Sequence, residues 1–301
     1  MLKTTKRRRV ASLLAALLLF GGLLLLPIRA SAAETVSIKP KTVSDITVWR
    51  YSAIPVETEK GRLSTDGRLI HSTTYVPLRA FFEATLPDAT VTYRSSIRTA
   101  TVTSATLTVS ARDGSNILYA NGRCLYTDTP IKILSDGSMY VPVRLLAKTL
   151  SLSVEWNDKT RSVSLDGKPS ALEIGDTYYD ATDLYWLSRI ISAESRGEPF
   201  IGQVAVGNVV LNRRAHRDFP NTVKEVIFDR RGGVVQFSPV EDGSIWQAPY
   251  SASVTAAKVC LEGYTVSDRI LFFYAPSMVG TTWIEKNRPY AFTIAGHRFF
   301  Y

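Results

Sequence analysis

The spacing of hydrophobic and polar positions changes along the chain near residue 180. Before it, short runs such as ATLTVSA (105–111) and NILYA (116–120) alternate apolar and polar residues, which predicts β-strands. Asn121-Gly122, between two such runs, predicts a two-residue hairpin turn. After residue 182, apolar residues recur at helical spacing. The pattern predicts an α+β protein, with a small β-rich N-terminal domain followed by a mainly helical C-terminal domain.

The β-rich part contains an internal repeat. Two pairs of segments match one another: TTYVPLRAFFEA (73–84) with SMYVPVRLLAKT (138–149), and VTYRSSIRTATV (91–102) with VEWNDKTRSVSL (154–165). Each unit predicts a strand ending in Tyr-Val-Pro, a short helix opened by the proline, and a hairpin, because proline at a helix start loses no helical hydrogen bond. Tyr93 and Trp156 take equivalent places. We expect Arg79 and Arg144 to bond within their own units rather than to a ligand.

The predicted helix over 184–194 carries a carboxylate among its apolar residues. At about 100° per residue, Leu187, Ile190 and Ile191 form a stripe that also contains Glu194. Desolvation and the negative end of the helix dipole would both raise the pKa of this carboxyl group. A raised pKa suits a general acid that protonates a glycosidic oxygen. The alternative is a helix that ends at Ser192 and leaves Glu194 in an exposed turn.

The first 32 residues read as a secretory signal peptide. A basic start precedes an apolar run (10–28) and an Ala-Ser-Ala exit (30–32), although an uncleaved membrane anchor is the alternative. Without this segment the formal net charge falls from +9 to +3, which argues against a nucleic-acid partner. We expect a secreted protein whose contact with the membrane is transient, through this segment alone.

Cysteine and histidine give little support for disulfide or metal chemistry. Cys124 and Cys260 are far apart in sequence, and we expect two free thiols rather than a disulfide. The three histidines, His71, His216 and His297, lack the spacing of a zinc site. The sequence therefore predicts no metal and no cofactor.

Two families resemble parts of this chain. The repeated YVPxR motif with its hairpin resembles the copper amine oxidase N-terminal-like domain, although His71 alone implies no copper site there. The C-terminal part resembles the SleB/CwlJ-type cell-wall hydrolases, the spore-cortex-lytic family with a lysozyme-like fold. The motifs that carry this second resemblance are SAESRGEPFIGQVAVGNVVLNR (192–213), FPNTVKEVIFD (219–229), VVQFSPVEDGSIW (234–246), FFYAPSM (272–278) and IAGHRFF (294–300).

The two resemblances imply a domain organisation. They predict a signal peptide at 1–32, the repeat domain at 34–168, a linker at 169–181 and a lysozyme-like catalytic domain at 182–301. They also imply that the repeat domain binds wall polymer or acts as a spacer.

The second resemblance gives Glu194 the role of catalytic acid/base. Gln236, Phe237 and Ser238 offer amide, aromatic and hydroxyl groups that suit N-acetyl sugars, and the resemblance places Tyr274 near the cleft. The other predicted substrate-binding residues are Glu198, Asn208 and His297. For Glu198 we favour the alternative of an ordinary charge at a helix start, and a lone His297 is more often a packed core residue. Either Asn208 or Asn212 could bond sugar amides or orient Glu194, and the alternative for Asn212 is to cap the end of its helix.

The predicted substrate is peptidoglycan, cleaved at the MurNAc–GlcNAc bond. Hydrolysis with two carboxylates needs a second acid, and Glu198, Glu241 and Asp242 show no comparable buried placement. A lytic transglycosylase needs one carboxylate and leaves a 1,6-anhydro-muramic product. The resemblance further implies a place in the cell wall or spore cortex, with action on cortex during germination. The alternatives are a non-catalytic wall-binding protein and an N-acetylmuramoyl-L-alanine amidase.

Overall fold

The computed structural model describes residues 52–277 and 283–301, which belong to one compact unit. The predicted signal peptide at 1–32 lies outside the described residues. Helices and strands are both abundant in the described chain, with the strands concentrated before residue 167 and the longer helices after residue 180. The predicted α+β class is confirmed. No helix in the described ranges is long and apolar enough to cross a bilayer.

Short strands and two short helices form the N-terminal part. Their bounds are β1 (Ser52–Ile54), β2 (Val56–Thr58), β3 (Gly61–Arg62), β4 (Gly67–Ile70), β5 (Thr73–Pro77), α1 (Leu78–Thr85), β6 (Thr90–Arg94), β7 (Thr99–Thr103), β8 (Thr108–Arg112), β9 (Ile117–Ala120), β10 (Arg123–Tyr126), β11 (Lys132–Ile133), β12 (Met139–Pro142), α2 (Val143–Thr149), β13 (Ser153–Asn157) and β14 (Ser162–Asp166). The strands form sheets of order β1-β4-β5-β12-β11, β10-β9-β8-β7-β6 and β13-β14-β2-β3.

The two repeat units meet at a local twofold axis. Strands β5 and β12 pair antiparallel with Val76 opposite Val141, and each of these residues is fully buried. The strand, helix and hairpin predicted for each unit are all present, in β5-α1-β6-β7 and β12-α2-β13-β14. Asn121 and Gly122 both have positive φ in the hairpin between β9 and β10, as the sequence predicts.

Helices dominate the C-terminal part. Its elements are α3 (Gly175–Tyr178), α4 (Ala181–Ser195), α5 (Phe200–Ala215), α6 (Val223–Phe228), β15 (Arg230–Arg231), β16 (Val234–Val235), α7 (Pro239–Asp242), α8 (Ser251–Leu261), β17 (Phe272–Tyr274), α9 (Trp283–Asn287), β18 (Tyr290–Ile294) and β19 (His297–Phe300). Strands β17, β19 and β18 form a small antiparallel sheet in that order.

Helix α4 has defined start and stop signals. The Asp180 carboxylate accepts a hydrogen bond of 2.8 Å from the Asp183 N–H and caps the helix start. The helix runs through Glu194 to Ser195, so the alternative of an earlier end at Ser192 is wrong. Pro199 then precedes the first residue of α5, where proline is tolerated. The fully buried Leu187, Ile190 and Ile191 hold α4 in the C-terminal core.

A buried ion pair joins the two parts of the chain. Arg123 on β10 donates two hydrogen bonds of 2.7 Å to the Glu262 carboxylate, which follows α8. The side chains are 6% and 2% exposed. The Tyr179 hydroxyl and the Lys148 ammonium also contact Glu262, at 2.8 and 3.1 Å. Burial opposes the charge, but these partners hold the pKa of Glu262 below its ordinary value.

The side chains of both cysteines pack in the C-terminal core. Cys124 and Cys260 are buried and free, as predicted, and both belong to the C-terminal core cluster. Burial raises the pKa of Cys124 to about 11, so the thiol form is favoured. Strand β10 therefore contributes Cys124 to the C-terminal core and Leu125 to the N-terminal core.

We expect Arg123→Met to destabilise the protein by about 3 kcal/mol, because it leaves the buried Glu262 carboxylate without its main cationic partner. Chemical denaturation at pH 7 measures this loss. The pKa of Glu262 is lowered in the folded state, so the ion pair stabilises the protein fully above the ordinary carboxyl pKa of 4.5. This contribution is lost as the pH falls from 4.5 through the lowered pKa of the folded state. Equal denaturation midpoints for Arg123→Met and the parent would contradict this account. Arg217→Met, at a side chain that is 92% exposed, is the matched control.

Candidate active site

Glu194 lies in the last turn of α4 with its side chain half-buried. The pKa of Glu194 is raised from 4.5 to about 7: burial is the largest cause, the negative charge of Asp242 adds to it, and the positive charge of Arg213 opposes both. No hydrogen bond reaches this carboxyl group from residues 52–277 or 283–301. A carboxyl group that is protonated near neutral pH and has no such partner is suited to donate a proton to an incoming oxygen.

Arg213 is a buried cation whose charge acts on Glu194. It is 4% exposed, and its Nε donates a 2.7 Å hydrogen bond to the Leu271 carbonyl. Its guanidinium lies 5.0–5.3 Å from the ring centres of three phenylalanines: Phe219, Phe237 and Phe272. Burial and then the charge of Arg231 lower its pKa to about 10. Its buried Nη1 has no hydrogen-bond partner among the described residues.

Asp242 is an exposed carboxylate whose surroundings lower its pKa, whereas those of Glu194 raise the pKa of Glu194. It ends α7, and the Ser244 N–H donates a 2.7 Å hydrogen bond to its Oδ1. Hydrogen bonds from the side chain and backbone of Ser244 hold the pKa of Asp242 below its ordinary value. One carboxyl group near the end of α4 is thus held protonated and its neighbour ionised. Such a split in pKa is how paired carboxyl groups take different roles in glycoside cleavage.

Glu198 ties the start of α5 to the hairpin between β18 and β19. Its Oε2 accepts a 3.0 Å hydrogen bond from the Gly296 N–H, and its Oε1 lies 3.6 Å from His297 Nδ1. His297 is 6% exposed, and its Nδ1 has no hydrogen-bond partner within the described chain. Burial lowers the pKa of His297 against the charge of Glu198, which favours neutral imidazole. Both predicted substrate contacts are engaged in packing the hairpin.

The two asparagines of α5 hold the segment that follows α8. The Asn208 amide donates to the Tyr264 carbonyl at 3.0 Å and accepts from the Val266 N–H at 2.8 Å. Asn212 donates to two carbonyls, of Ser267 and Ile270, both at 2.9 Å, and so does not cap its own helix. Asn208 is 3% exposed with both ends of its amide engaged, so we leave it out of the proposed substrate contacts.

The predicted sugar-binding loop splits into buried and exposed residues. Phe237 is 2% exposed and packs in the core, whereas Gln236 is half-buried and Ser238 is exposed before α7. Tyr274 is also mostly buried, and its hydroxyl donates a 2.8 Å hydrogen bond to Glu285. The polar side chains of Gln236 and Ser238 thus remain accessible to solvent. The ring of Phe237 instead packs against the guanidinium of Arg213.

Sequence reasoning missed three residues around α4, Arg213, Trp246 and Tyr250, and it named Asp242 only as a candidate second acid. Trp246 and Tyr250 are each 60% exposed. The Tyr250 N–H donates to Ser192 Oγ at 3.1 Å, and the Trp246 carbonyl accepts from Arg189 at 3.0 Å. Trp246 and Tyr250 thus contact α4 at Arg189 and Ser192, outside the stripe that contains Glu194. The sequence signals were the places of Arg213 and Trp246 at the ends of the 192–213 and 234–246 motifs.

The described residues do not gather a metal site. Within 52–277 and 283–301, no group of three or more histidine, cysteine, aspartate or glutamate side chains is placed to hold an ion.

Comparison with known families divides the chain in two. Residues 57–165 match the family described as Copper amine oxidase N-terminal domain, and residues 197–301 match the family described as Cell Wall Hydrolase. Both resemblances predicted from the motifs are confirmed: one part of the chain is similar to cell-wall hydrolases and an earlier part to copper amine oxidase N-terminal domains. Glu194 lies just before the second matched stretch. The predicted bounds 34–168, 169–181 and 182–301 stay predictions.

Two similar proteins are named spore cortex-lytic enzymes. A spore cortex-lytic enzyme of Bacillus cereus is 36% identical over 121 residues, which are 40% of this chain and 45% of that protein. The spore cortex-lytic enzyme of Bacillus subtilis (strain 168) is 33% identical over 121 residues, 40% of this chain and 38% of that protein. The chain therefore spans less than half the length of these curated relatives.

One solved structure with sequence similarity is the catalytic domain of the germination-specific lytic transglycosylase SleB from Bacillus anthracis. It is 34% identical, and the match covers 43% of this chain and 100% of that one, with a TM-score of 0.37.

We expect Glu194→Gln to make the protein relatively more stable as the pH rises. The parent carboxyl group has a pKa of about 7 in the folded state against an ordinary 4.5. Its neutral form therefore stabilises fully below pH 4.5, and this contribution is lost as the pH rises through about 7. The difference in unfolding free energy between variant and parent should grow by about 3 kcal/mol between pH 4.5 and 8.5.

Denaturant titrations across that pH range measure the difference. Glu241→Gln, an exposed carboxyl neighbour on α7, is the matched control and should follow the parent at every pH. A Glu194→Gln curve that also runs parallel to the parent would contradict the raised pKa.

Proposed function

We propose that this protein is a secreted peptidoglycan lytic enzyme that cleaves the MurNAc–GlcNAc bond as a lytic transglycosylase. The observation that carries the proposal is the half-buried carboxyl group of Glu194, which has a pKa of about 7. The residues that follow it, 197–301, match the cell-wall hydrolase family. Relatives named spore cortex-lytic enzymes support the same substrate class. Spore cortex during germination is the proposed target, and the cell wall or cortex the proposed location.

In the first proposed step, Glu194 gives its proton to the glycosidic oxygen. The bond between that oxygen and C1 of MurNAc breaks, GlcNAc leaves as the alcohol, and positive charge develops on the MurNAc ring. In the second step the Glu194 carboxylate takes the proton of the MurNAc 6-hydroxyl, whose oxygen bonds to C1. The products are a free GlcNAc end and a 1,6-anhydro-muramic end. No water is consumed and the acid is regenerated.

The charges around Glu194 support this cycle. Ionised Asp242 raises the pKa of Glu194 before the first step, and its negative charge would stabilise the ring cation that follows. Arg213 would stabilise the Glu194 carboxylate between the two steps, because its positive charge favours the ionised form.

Simple hydrolysis is the second candidate, and Asp242 favours it. A raised-pKa acid next to an ionised carboxylate is the arrangement of two-carboxylate glycosidases, in which the second group activates water or attacks C1. Hydrolysis would leave a reducing muramic end instead of an anhydro end. The products therefore separate the two reactions.

We expect Glu194→Gln to lower the rate of wall lysis by at least about a hundredfold, because glutamine has no proton to donate. Purified peptidoglycan incubated with parent and variant, followed by mass spectrometry of the soluble muropeptides, measures both rate and product. Anhydro-muramic ends from the parent alone support transglycosylation, and hydrated ends would replace it with hydrolysis. Undiminished lysis by the variant would contradict a role for Glu194.

Two further outcomes would favour other functions. Release of intact stem peptides from uncut glycan would indicate an amidase. Wall binding without soluble products from either protein would favour a non-catalytic wall-binding protein.

We expect Asp242→Asn to shift the alkaline limb of the pH–rate profile to lower pH. Removing a negative charge beside Glu194 lowers the pKa of its carboxyl group, so the acid loses its proton earlier as the pH rises. Glu241→Gln on the same helix should leave the profile in place. Under hydrolysis with Asp242 as base, the asparagine variant would lose its rate at every pH instead. An unchanged profile would remove Asp242 from the site.

A further inference from the structure

Two clefts lie in the N-terminal repeat domain, and Glu194 lines neither of them. One cleft, of about 660 Å³, is lined by residues of α2, β13 and the start of β5. A smaller one, of about 310 Å³, is lined by residues of α1, β6 and the start of β12. We refer to them as the Trp156 cleft and the Tyr93 cleft, after the aromatic residue that lines each.

The two clefts are lined by equivalent residues of the two repeat units. Pro142, Val143, Arg144 and Leu145 line the Trp156 cleft, and the equivalent residues of the first repeat line the Tyr93 cleft: Pro77, Leu78, Arg79 and Ala80. Val154 and Trp156 in one cleft likewise correspond to Val91 and Tyr93 in the other.

Each cleft also takes one wall from the opposite repeat unit. Ser72, Thr73 and Thr74 of the first unit complete the Trp156 cleft. Their equivalents in the second unit, Gly137, Ser138 and Met139, complete the Tyr93 cleft. The antiparallel pairing of β5 with β12 causes this exchange, since the local twofold axis brings each strand start beside the other unit's helix. Both clefts therefore depend on the two units being docked.

The aromatic side chains of the clefts remain exposed. Tyr93 is 49% exposed and Trp156 39%, although the same domain buries large side chains such as Phe81 and Phe82 completely. The Trp156 indole is held in place by a 2.7 Å hydrogen bond from its Nε1 to Asp158. An aromatic ring left exposed loses the stabilisation that burial would give, and this happens at equivalent positions in both repeat units. Such exposed rings are suited to stack against a bound ligand.

The arginines are positioned but keep donors for a ligand. Arg79 donates a 3.3 Å hydrogen bond to the Val91 carbonyl, and Arg144 a 3.3 Å hydrogen bond to the Val154 carbonyl. These bonds lie within one repeat unit, as the sequence suggested, and fix each guanidinium beside its aromatic hairpin. Both side chains are exposed, and a guanidinium has five N–H donors, so each can also donate to a bound oxygen.

The chemistry of the Trp156 cleft fits an uncharged sugar chain. Its hydroxyl groups come from five serine and threonine residues, Ser72, Thr73, Thr74, Thr127 and Thr129, beside one indole and one guanidinium. Two acidic residues, Asp128 and Glu155, outnumber the single arginine, which disfavours polyanions such as nucleic acid. Aromatic faces with hydroxyl and guanidinium donors match the ring faces, hydroxyls and acetamido carbonyls of N-acetyl-hexosamines.

We propose that these two clefts bind glycan strands of peptidoglycan and hold the hydrolase domain at the wall. This proposal rests on the proposed function for its choice of glycan. The contacts of Arg123 and Lys148 with Glu262 fix the clefts relative to the C-terminal helices, so binding at the clefts would place Glu194 near strands of the same wall.

The test measures binding to glycan without cleavage. The full mature chain carrying Glu194→Gln serves as the parent, and the ligands are insoluble chitin, an uncharged chain of N-acetyl-glucosamine, and intact purified peptidoglycan. Sedimentation assays then compare Trp156→Ala, Trp156→Phe and the double variant Tyr93→Ala/Trp156→Ala. Tyr119→Ala is the matched control, because Tyr119 is a 43% exposed aromatic residue of the same domain outside both clefts.

We expect Trp156→Ala to weaken binding about tenfold and the double variant to weaken it further, while Trp156→Phe and Tyr119→Ala stay within about threefold of the parent. Thermal unfolding confirms that each variant is folded. Parent-like binding by the folded double variant would overturn the proposal, as would a parent that binds intact peptidoglycan but not chitin. Neither result depends on muropeptide products, so failure here is distinguishable from failure of the proposed catalysis.

Discussion

The proposed chemistry of this protein depends on the burial of one carboxyl group, that of Glu194, at the end of α4. The helix packs its apolar stripe into the C-terminal core, and Glu194 lies in that stripe. The same packing that stabilises α4 therefore desolvates the carboxyl group and raises its pKa. The cost in stability and the capacity to donate a proton near neutral pH have a single cause.

The surroundings of Glu194 adjust this effect without removing it. Asp242 is kept ionised by Ser244 and raises the pKa, while the buried Arg213 limits the rise. Arg213 itself is held by a backbone carbonyl and by aromatic rings rather than by an ion pair with Glu194. A direct ion pair would hold the carboxyl group ionised and remove its function as an acid. The separation of the two side chains is thus as important as their charges.

The sequence predicted the elements whose signals are local. The apolar stripe of α4, the repeat units and the Asn121-Gly122 turn depend on neighbours a few positions apart, and all are present. The contacts of Asn208 and Glu198 join positions 58 and 98 residues apart, so their structural roles could not be predicted from spacing. For the same reason Asp242, in a short helix after a loop, gave no signal of its effect on Glu194.

The pKa of the Glu194 carboxyl group tests the central claim most directly. A ¹³C NMR titration of the protein labelled at its glutamate side-chain carboxyl carbons, with Glu194→Gln to assign the resonance, would measure it. The account predicts a midpoint near 7, well above the ordinary 4.5, and a lower midpoint in Asp242→Asn. A midpoint near 4.5 would mean that Glu194 is ionised at neutral pH, and it would contradict its proposed role as the proton donor.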